Sequence, residues 1–265
     1  MLAKLFNFIG LIAAYVRLNL NAQLEYRAAF ISQVFAMFIN DGVWVAFWAL
    51  FFTRFPVLRG WNVNDVLTVW AVTASGFGIG YAIFGNALGL AHLIAQGQLD
   101  VWMLYPRAVL PHILVSRMHT TAWGDLSFGY AVYLLFIRPD LPHLLMFVGL
   151  TLSVAMLFVG FSVFTGSLGF YLGNTVELSD QWFNATLHFS TYPGIIFEGL
   201  VRILLYTLIP AGFISYLPIE ALRQLSLGNA ALSVLGSACV LSIGVVFFYR
   251  GLRRYESGNL MEMRG

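Results

Sequence analysis

Long apolar runs separated by short polar turns dominate the chain. A helix that crosses the hydrocarbon of a bilayer needs about 20 mainly apolar residues. One such run extends from Ala28 to Phe52 and stops at the polar turn Thr53-Arg54-Phe55-Pro56. A second, from about Val66 to Ala91, is dotted with Gly76, Gly78, Gly80, Gly85 and Gly89, and small residues let helices approach closely in lipid. A third covers about Ile113 to Ile137 and stops at Arg138-Pro139-Asp140; a fourth covers about Leu144 to Leu172. The last runs from Ala230 to Tyr249, ahead of Arg250. In between, residues 182–217 are apolar but interrupted by Pro193-Gly194 and Pro210, with Pro218 just beyond. Proline removes a backbone donor and kinks or ends a helix. A fifth span is therefore expected over roughly 195–216, after an interfacial stretch, with Pro210 to Leu225 dipping back into the membrane. Irregular backbone survives at membrane depth only where protein or water covers it, so this segment should pack inside the bundle.

The pattern predicts an all-α membrane protein. It has six transmembrane helices, an N-terminal interfacial helix, and a broken or re-entrant segment between spans five and six. Residues 1–27 mix Lys4, Arg17, Glu25 and Arg27 with apolar positions and show no short apolar core followed by an Ala-x-Ala site. They read as a helix lying in the membrane interface and not as a cleaved signal peptide. With the N-terminus in the cytoplasm, inside segments hold Lys4, Arg17, Arg27, Arg107, Arg250, Arg253, Arg254 and Arg264; outside segments hold Arg54, Arg59, Arg138 and Arg223. Eight basic residues against four favour both termini in the cytoplasm. Trp61, Trp102 and Trp182 fall near the expected interfaces, as aromatic belts do.

Composition agrees with this class. Of 265 residues, 60% are hydrophobic and 10% charged, with mean hydropathy +0.81; a soluble domain carries about 25% charged residues. The apolar runs cover most of the chain, which reads as a single membrane domain over 1–265. No basic arm suggests nucleic acid, and one cysteine, Cys239, excludes an internal disulfide framework. The only lysine is Lys4, so no phosphate-binding loop of the Gly-x-x-x-x-Gly-Lys-Ser/Thr type exists. His92, His112, His119, His143 and His188 lack metal-ligand spacing, and no metal or other cofactor is expected in the chain.

Three groups of residues stand out. Asp41, beside Asn40, and Asp125 fall in mid-span at similar depth. A charge there costs about 2.5–3.5 kcal/mol on insertion scales, so both should face the bundle or a water-filled path. They read either as polar contacts in a translocation route or as hydrogen-bonded structural glue. Glu198 and Arg202 stand four apart in acidic-first order, which suits mutual neutralisation on one helix. The third group is the polar, amphipathic stretch between the second and third runs, Ala91 to Arg107, interrupted by Gly97 and ended by Pro106.

The order of these features resembles the permease subunits of type-2 ATP-binding-cassette exporters. Tyr15 to Arg27 is similar to that family's elbow helix. Gly97-Gln98-Leu99-Asp100 followed by Leu104-Tyr105-Pro106 resembles a Gly-x-Leu-Asp … Leu-x-x-Pro pattern of one branch. Tyr192-Pro193, Arg202, Ile209-Pro210 and Tyr216-Leu217-Pro218 resemble its fifth-span and re-entrant region, and Arg250-Gly251-Leu252-Arg253-Arg254-Tyr255 resembles its C-terminal end. The resemblance implies a permease that forms the substrate pathway, driven by a separate cytoplasmic ATPase that binds ATP and Mg. It implies pairing with a second copy or a related permease, in a bacterial inner membrane. It implies a coupling loop over 92–107, carried by Leu93, Gln96, Gly97, Leu99, Asp100, Leu104, Pro106 and Arg107. It also implies an outer gate over 210–225, with Pro210, Tyr216 and Pro218. The stretch from Pro218 to the last span is shorter than in many relatives. The alternative is an ion-coupled secondary transporter, which typically shows broken helices in two matched halves; one broken span is seen here. A membrane-embedded lipid enzyme would need clustered ionisable groups, and these are dispersed.

Overall fold

The computed structural model describes residues 2–255, with side chains from residue 8 onward. Lys4's side chain and Arg264, both counted in the orientation argument, and the ends of the 1–265 domain lie outside the described residues. The chain is 82% helical, with no strands among the described residues.

Among the described residues, four helices are long and apolar enough to cross a membrane: Arg27–Arg54, Val63–Ala95, Leu141–Leu172 and Leu227–Leu252. The first is α2, after α1 (Leu2–Glu25); a single turn residue, Tyr26, divides the two. The second is built of α3 (Val63–Phe84), a tight turn at Gly85–Ala87, and α4 (Leu90–Ala95). Short helices α5 (Leu99–Met103) and α6 (Val109–Val115) follow, then α7 (Ala122–Val132), which continues through a wide turn to Ile137. The third long one is α8 (Leu141–Ser167) with α9 (Gly169–Leu172). Next come α10 (Val176–Thr191), α11 (Gly199–Thr207) and α12 (Leu217–Gln224), and finally α13 (Leu227–Leu252).

Local chemistry sets several starts. Asn62 caps α3 by accepting from the backbone N–H of Asn64 and Asp65, while the Asp65 carboxylate accepts from Asn62 N–H at 2.8 Å, a reciprocal capping box. Asp140 accepts from His143 N–H at the head of α8, and Ser226 from Asn229 N–H at the head of α13.

The core is the bundle of α3, α7, α8 and α13, with α3 at its centre. Small residues allow the close crossings. A Cβ on Gly160 would stand 2.5 Å from Leu241 Cα, and one on Gly244 2.5 Å from the Gly160 carbonyl oxygen, so α8 and α13 touch backbone to backbone there. The glycines of α3 serve the same purpose within the subunit: a Cβ on Gly78 would meet Leu126 N on α7 at 2.5 Å. Tyr81, fully buried on α3, donates to the Phe158 carbonyl and lies 2.7 Å from Ser162 Oγ.

Two expected runs differ in form. The third is broken at Ser116–Thr121, leaving an apolar helix of only Ala122–Ile137. Here Asn86 reaches across to the Ile113 carbonyl and Ser116 Oγ, giving the freed polar groups partners. The stretch 195–216, expected as one span, is two helical pieces: α11, and the wide turn Gly212–Tyr216 running into α12, with an 84° bend between them. Pro210, which cannot donate, sits in the break.

Candidate functional site

The two carboxylates expected in mid-span come together, with Asp125 in the first turn of α7 and not in the middle of a continuous helix. Asp41 on α2 and Asp125 on α7 are both buried, and their carboxyl groups lie in hydrogen-bonding contact. The approach is set by Gly124, where a Cβ would stand 2.7 Å from the Val34 carbonyl oxygen on α2. Asn40 donates to Asp41 Oδ1 at 3.4 Å. Oδ2 of each aspartate has no protein donor. A carboxylate accepts but cannot donate, so the contact requires at least one proton on the pair.

This pair stands in the wall of a cavity of about 180 Å³ between α2, α3, α7 and α10. Its other walls are aromatic: Trp44 and Trp48 from α2, Trp70 and Phe77 from α3, and Tyr192 just after α10. Trp44 and Trp70 stack at 6.3 Å with their planes 17° apart, and Trp48 meets Tyr192 edge to face at 5.9 Å. Trp70 is 7% exposed and its indole N–H has no acceptor. Among the described residues, neither arginine nor lysine lines the cavity. Asn40 and Trp44 are exposed at its α2 edge and His188 at its α10 edge. The sequence singled out Asn40, Asp41 and Asp125; it did not single out the tryptophan walls, although Trp44 and Trp48 lie three and seven residues from Asp41, on the same helical face.

The loop residues occupy the far end of α3. Gly97 takes a left-handed backbone, φ 67°, between α4 and α5, where a side chain would be strained. Leu99 is fully buried, and its N–H donates to the Tyr255 hydroxyl at 3.3 Å. Asp100 is half-buried beside the same phenol, and burial together with its charge pushes the Tyr255 phenol up. Leu93 is partly buried, while Gln96, Pro106 and Arg107 are exposed. Val101, Met103, Leu104 and Tyr105 form an exposed apolar strip, with Leu104 85% exposed. His112 fastens this loop to α1: its Nε2 lies 2.7 Å from the Tyr15 hydroxyl, and its ring meets Trp102 and Tyr105 edge to face.

At the opposite end, α12 is clamped to the head of α3. Arg223 donates from Nε to Asp65 Oδ1 at 2.8 Å, and its Nη2 lies 2.8 Å from Asp65 Oδ2. Its Nη1 reaches Glu220, and its guanidinium lies 4.7 Å above the Trp61 ring. Pro210, Tyr216 and Pro218 are buried, and the Tyr216 hydroxyl donates to the Phe189 carbonyl. Glu198 precedes α11 and pairs with Arg59, 139 residues away, instead of with Arg202, whose side chain contacts the Tyr206 hydroxyl. The Arg223 clamp has no local signal in the sequence, because its partner stands 158 residues away.

The family described as ABC-2 family transporter protein matches residues 38–258. No curated protein and no solved structure matches the chain.

Proposed function

Because the chain belongs to the ABC-2 transporter family, we propose that it is the substrate-pathway subunit of an ATP-driven exporter. Membrane proteins of this family work with a cytoplasmic ATPase partner, and the apolar helices mark a multi-pass membrane protein. In this reading the chain crosses six times with both termini in the cytoplasm. The spans are α2, α3–α4, α6–α7, α8–α9, α10 and α13, and the bent α11–α12 pair returns to the surface it came from as a re-entrant outer gate. This moves the fifth crossing from 195–216 to α10. The α10 helix of 16 residues is short for a full crossing, at about 1.5 Å per residue, but it reaches the bundle core through Thr186 and Ser190.

The observation that carries the exporter reading is the loop at the α4–α6 end. An exposed apolar strip of Val101, Met103, Leu104 and Tyr105 is anchored by buried Leu99 and His112 and by half-buried Tyr255. Exposed apolar surface bordered by polar residues marks a docking face, and a rigid mount transmits the partner's motion. The ATPase, carrying ATP and Mg, would dock on residues 92–107 and bias the bundle between two arrangements. The substrate would pass by Asn40, Asp41 and Asp125. A second permease copy, identical or related, would cover α2, of which only Asp41, Trp48 and Phe52 are buried.

The test is a gentle-detergent pull-down of the tagged full chain from its native membrane. A stoichiometric soluble ATPase among the retained partners is the expected result. A chain that emerges alone and moves solute on an ion gradient would replace this reading with a secondary transporter.

A further inference from the structure

The cavity between α2, α3, α7 and α10 has the chemistry of a cation site, and we propose that it takes a monovalent organic cation with an aromatic or apolar body. The proposal rests on the pathway reading above and names the substrate class. Two features of the cavity support the cation, and a third sets a further requirement on the ligand. The first is the acid pair: Asp41 and Asp125, at 3% and 5% exposure, leave Oδ2 of both without a protein donor and meet no arginine or lysine in the walls, so an entering cation finds carboxyl oxygens that can ionise against it. The second is the π-surface. Trp44, Trp48 and Trp70 line the same cavity as the pair, the first and last of them stacked at 6.3 Å, and the face of tryptophan is the strongest aromatic partner for an ammonium or pyridinium group. The third is the Trp70 indole N–H, buried in the wall with no acceptor. Buried polar groups left without partners are uncommon and call for an explanation; a ligand that brings an acceptor alongside its positive charge supplies one.

An anion is opposed by the carboxyl pair, and a bare metal ion finds too few ligands in two carboxyls and one amide. A neutral apolar solute would leave both Oδ2 atoms without a partner, which is costly in a low-dielectric site. Exposed Asn40, Trp44 and His188 mark edges through which a ligand can enter.

The experiment is equilibrium binding to the full chain in nanodiscs of zwitterionic lipid, without ATP. The probe is the cationic dye 4-(4-dimethylaminostyryl)-N-methylpyridinium, compared with its neutral analogue 4-dimethylaminostilbene. Saturable dye binding above empty nanodiscs is expected, with quenching of tryptophan fluorescence and an affinity at least tenfold above that of the neutral analogue. The double substitution Asp41→Asn/Asp125→Asn should weaken the dye at least tenfold and leave the neutral compound unchanged. Equal binding of dye and analogue, no saturation above lipid alone, or full dye affinity in the double variant would overturn the proposal. If that variant fails to melt cooperatively, Trp44→Leu at the exposed edge replaces it. A several-fold loss for the dye alone is then expected, and unchanged affinity refutes the site. Selective dye binding by a chain that recovers no ATPase would remove the exporter reading and leave the site standing. An ATPase partner without cation selectivity would do the reverse.

Discussion

Replacing Arg223 by methionine keeps an apolar stem over Trp61 and removes the guanidinium that ties α12 to α3. The cost follows from the geometry. Fully exposed ion pairs contribute about 0.2–1 kcal/mol, and breaking a buried one costs about 3–5 kcal/mol. Here the Arg223 side chain is 27% exposed and Asp65 12%, and two of its nitrogens engage both carboxylate oxygens at 2.8 Å. Asp65 is not orphaned by the change, because it keeps its bond from Asn62 N–H. About 2 kcal/mol is the expected loss from the pair, and about 0.5 kcal/mol more from the contact over Trp61. Local opening of α12 should then become roughly 70-fold easier. Hydrogen exchange of the Leu217–Gln224 amides in nanodiscs reads this directly: protection should fall about 30- to 150-fold there while α8 is unaffected. Asp65→Asn should loosen the same amides, and the double variant should cost less than the two single changes together. Protection unchanged within about threefold, or an equal fall in α8, would refute the view that Arg223 is a local clamp.

Three further outcomes are expected. Asp100→Arg places a cation against Tyr255 and next to the exposed apolar strip; ATP hydrolysis by the purified complex should persist while transport into vesicles falls at least tenfold, and full transport would remove the coupling assignment. His112 ties α1 to the loop through the Tyr15 hydroxyl; His112→Phe should lower exchange protection in α1 and leave α8 unaffected, and unchanged protection in α1 would refute the tie. Gly160→Leu forces a side chain against Leu241 at the α8–α13 crossing; overpacking costs about 1–3 kcal/mol, so the detergent melting temperature should fall by several degrees, whereas Gly149→Leu, with open space around its Cβ position, should not lower it.

Hydropathy along the chain was enough to assign the membrane class and to locate α2, α8 and α13 within a few residues, because a membrane helix satisfies its own backbone and announces itself by length and apolarity alone. The burial of Asp41 and Asp125 was legible from the cost of leaving a carboxyl in lipid. Their meeting was not: it depends on α2 and α7 crossing at Gly124, and nothing in either helix names the other. The break at Ser116–Thr121 escaped the pattern because the polar groups beside it are answered from elsewhere in the chain, by the Asn86 side chain. The 195–216 stretch was apolar enough to pass as one span, and Pro210 with its 84° bend made it two. Glu198 had a well-spaced partner in Arg202, yet it begins its helix instead of lying within it, and Arg59 reaches it from the turn after α2. Periodicity records what a segment does with its own neighbours and with lipid. Which helices cross, and which distant side chains therefore share a cavity or a charge, is settled only when backbones pack, and here small residues at a few positions decide it.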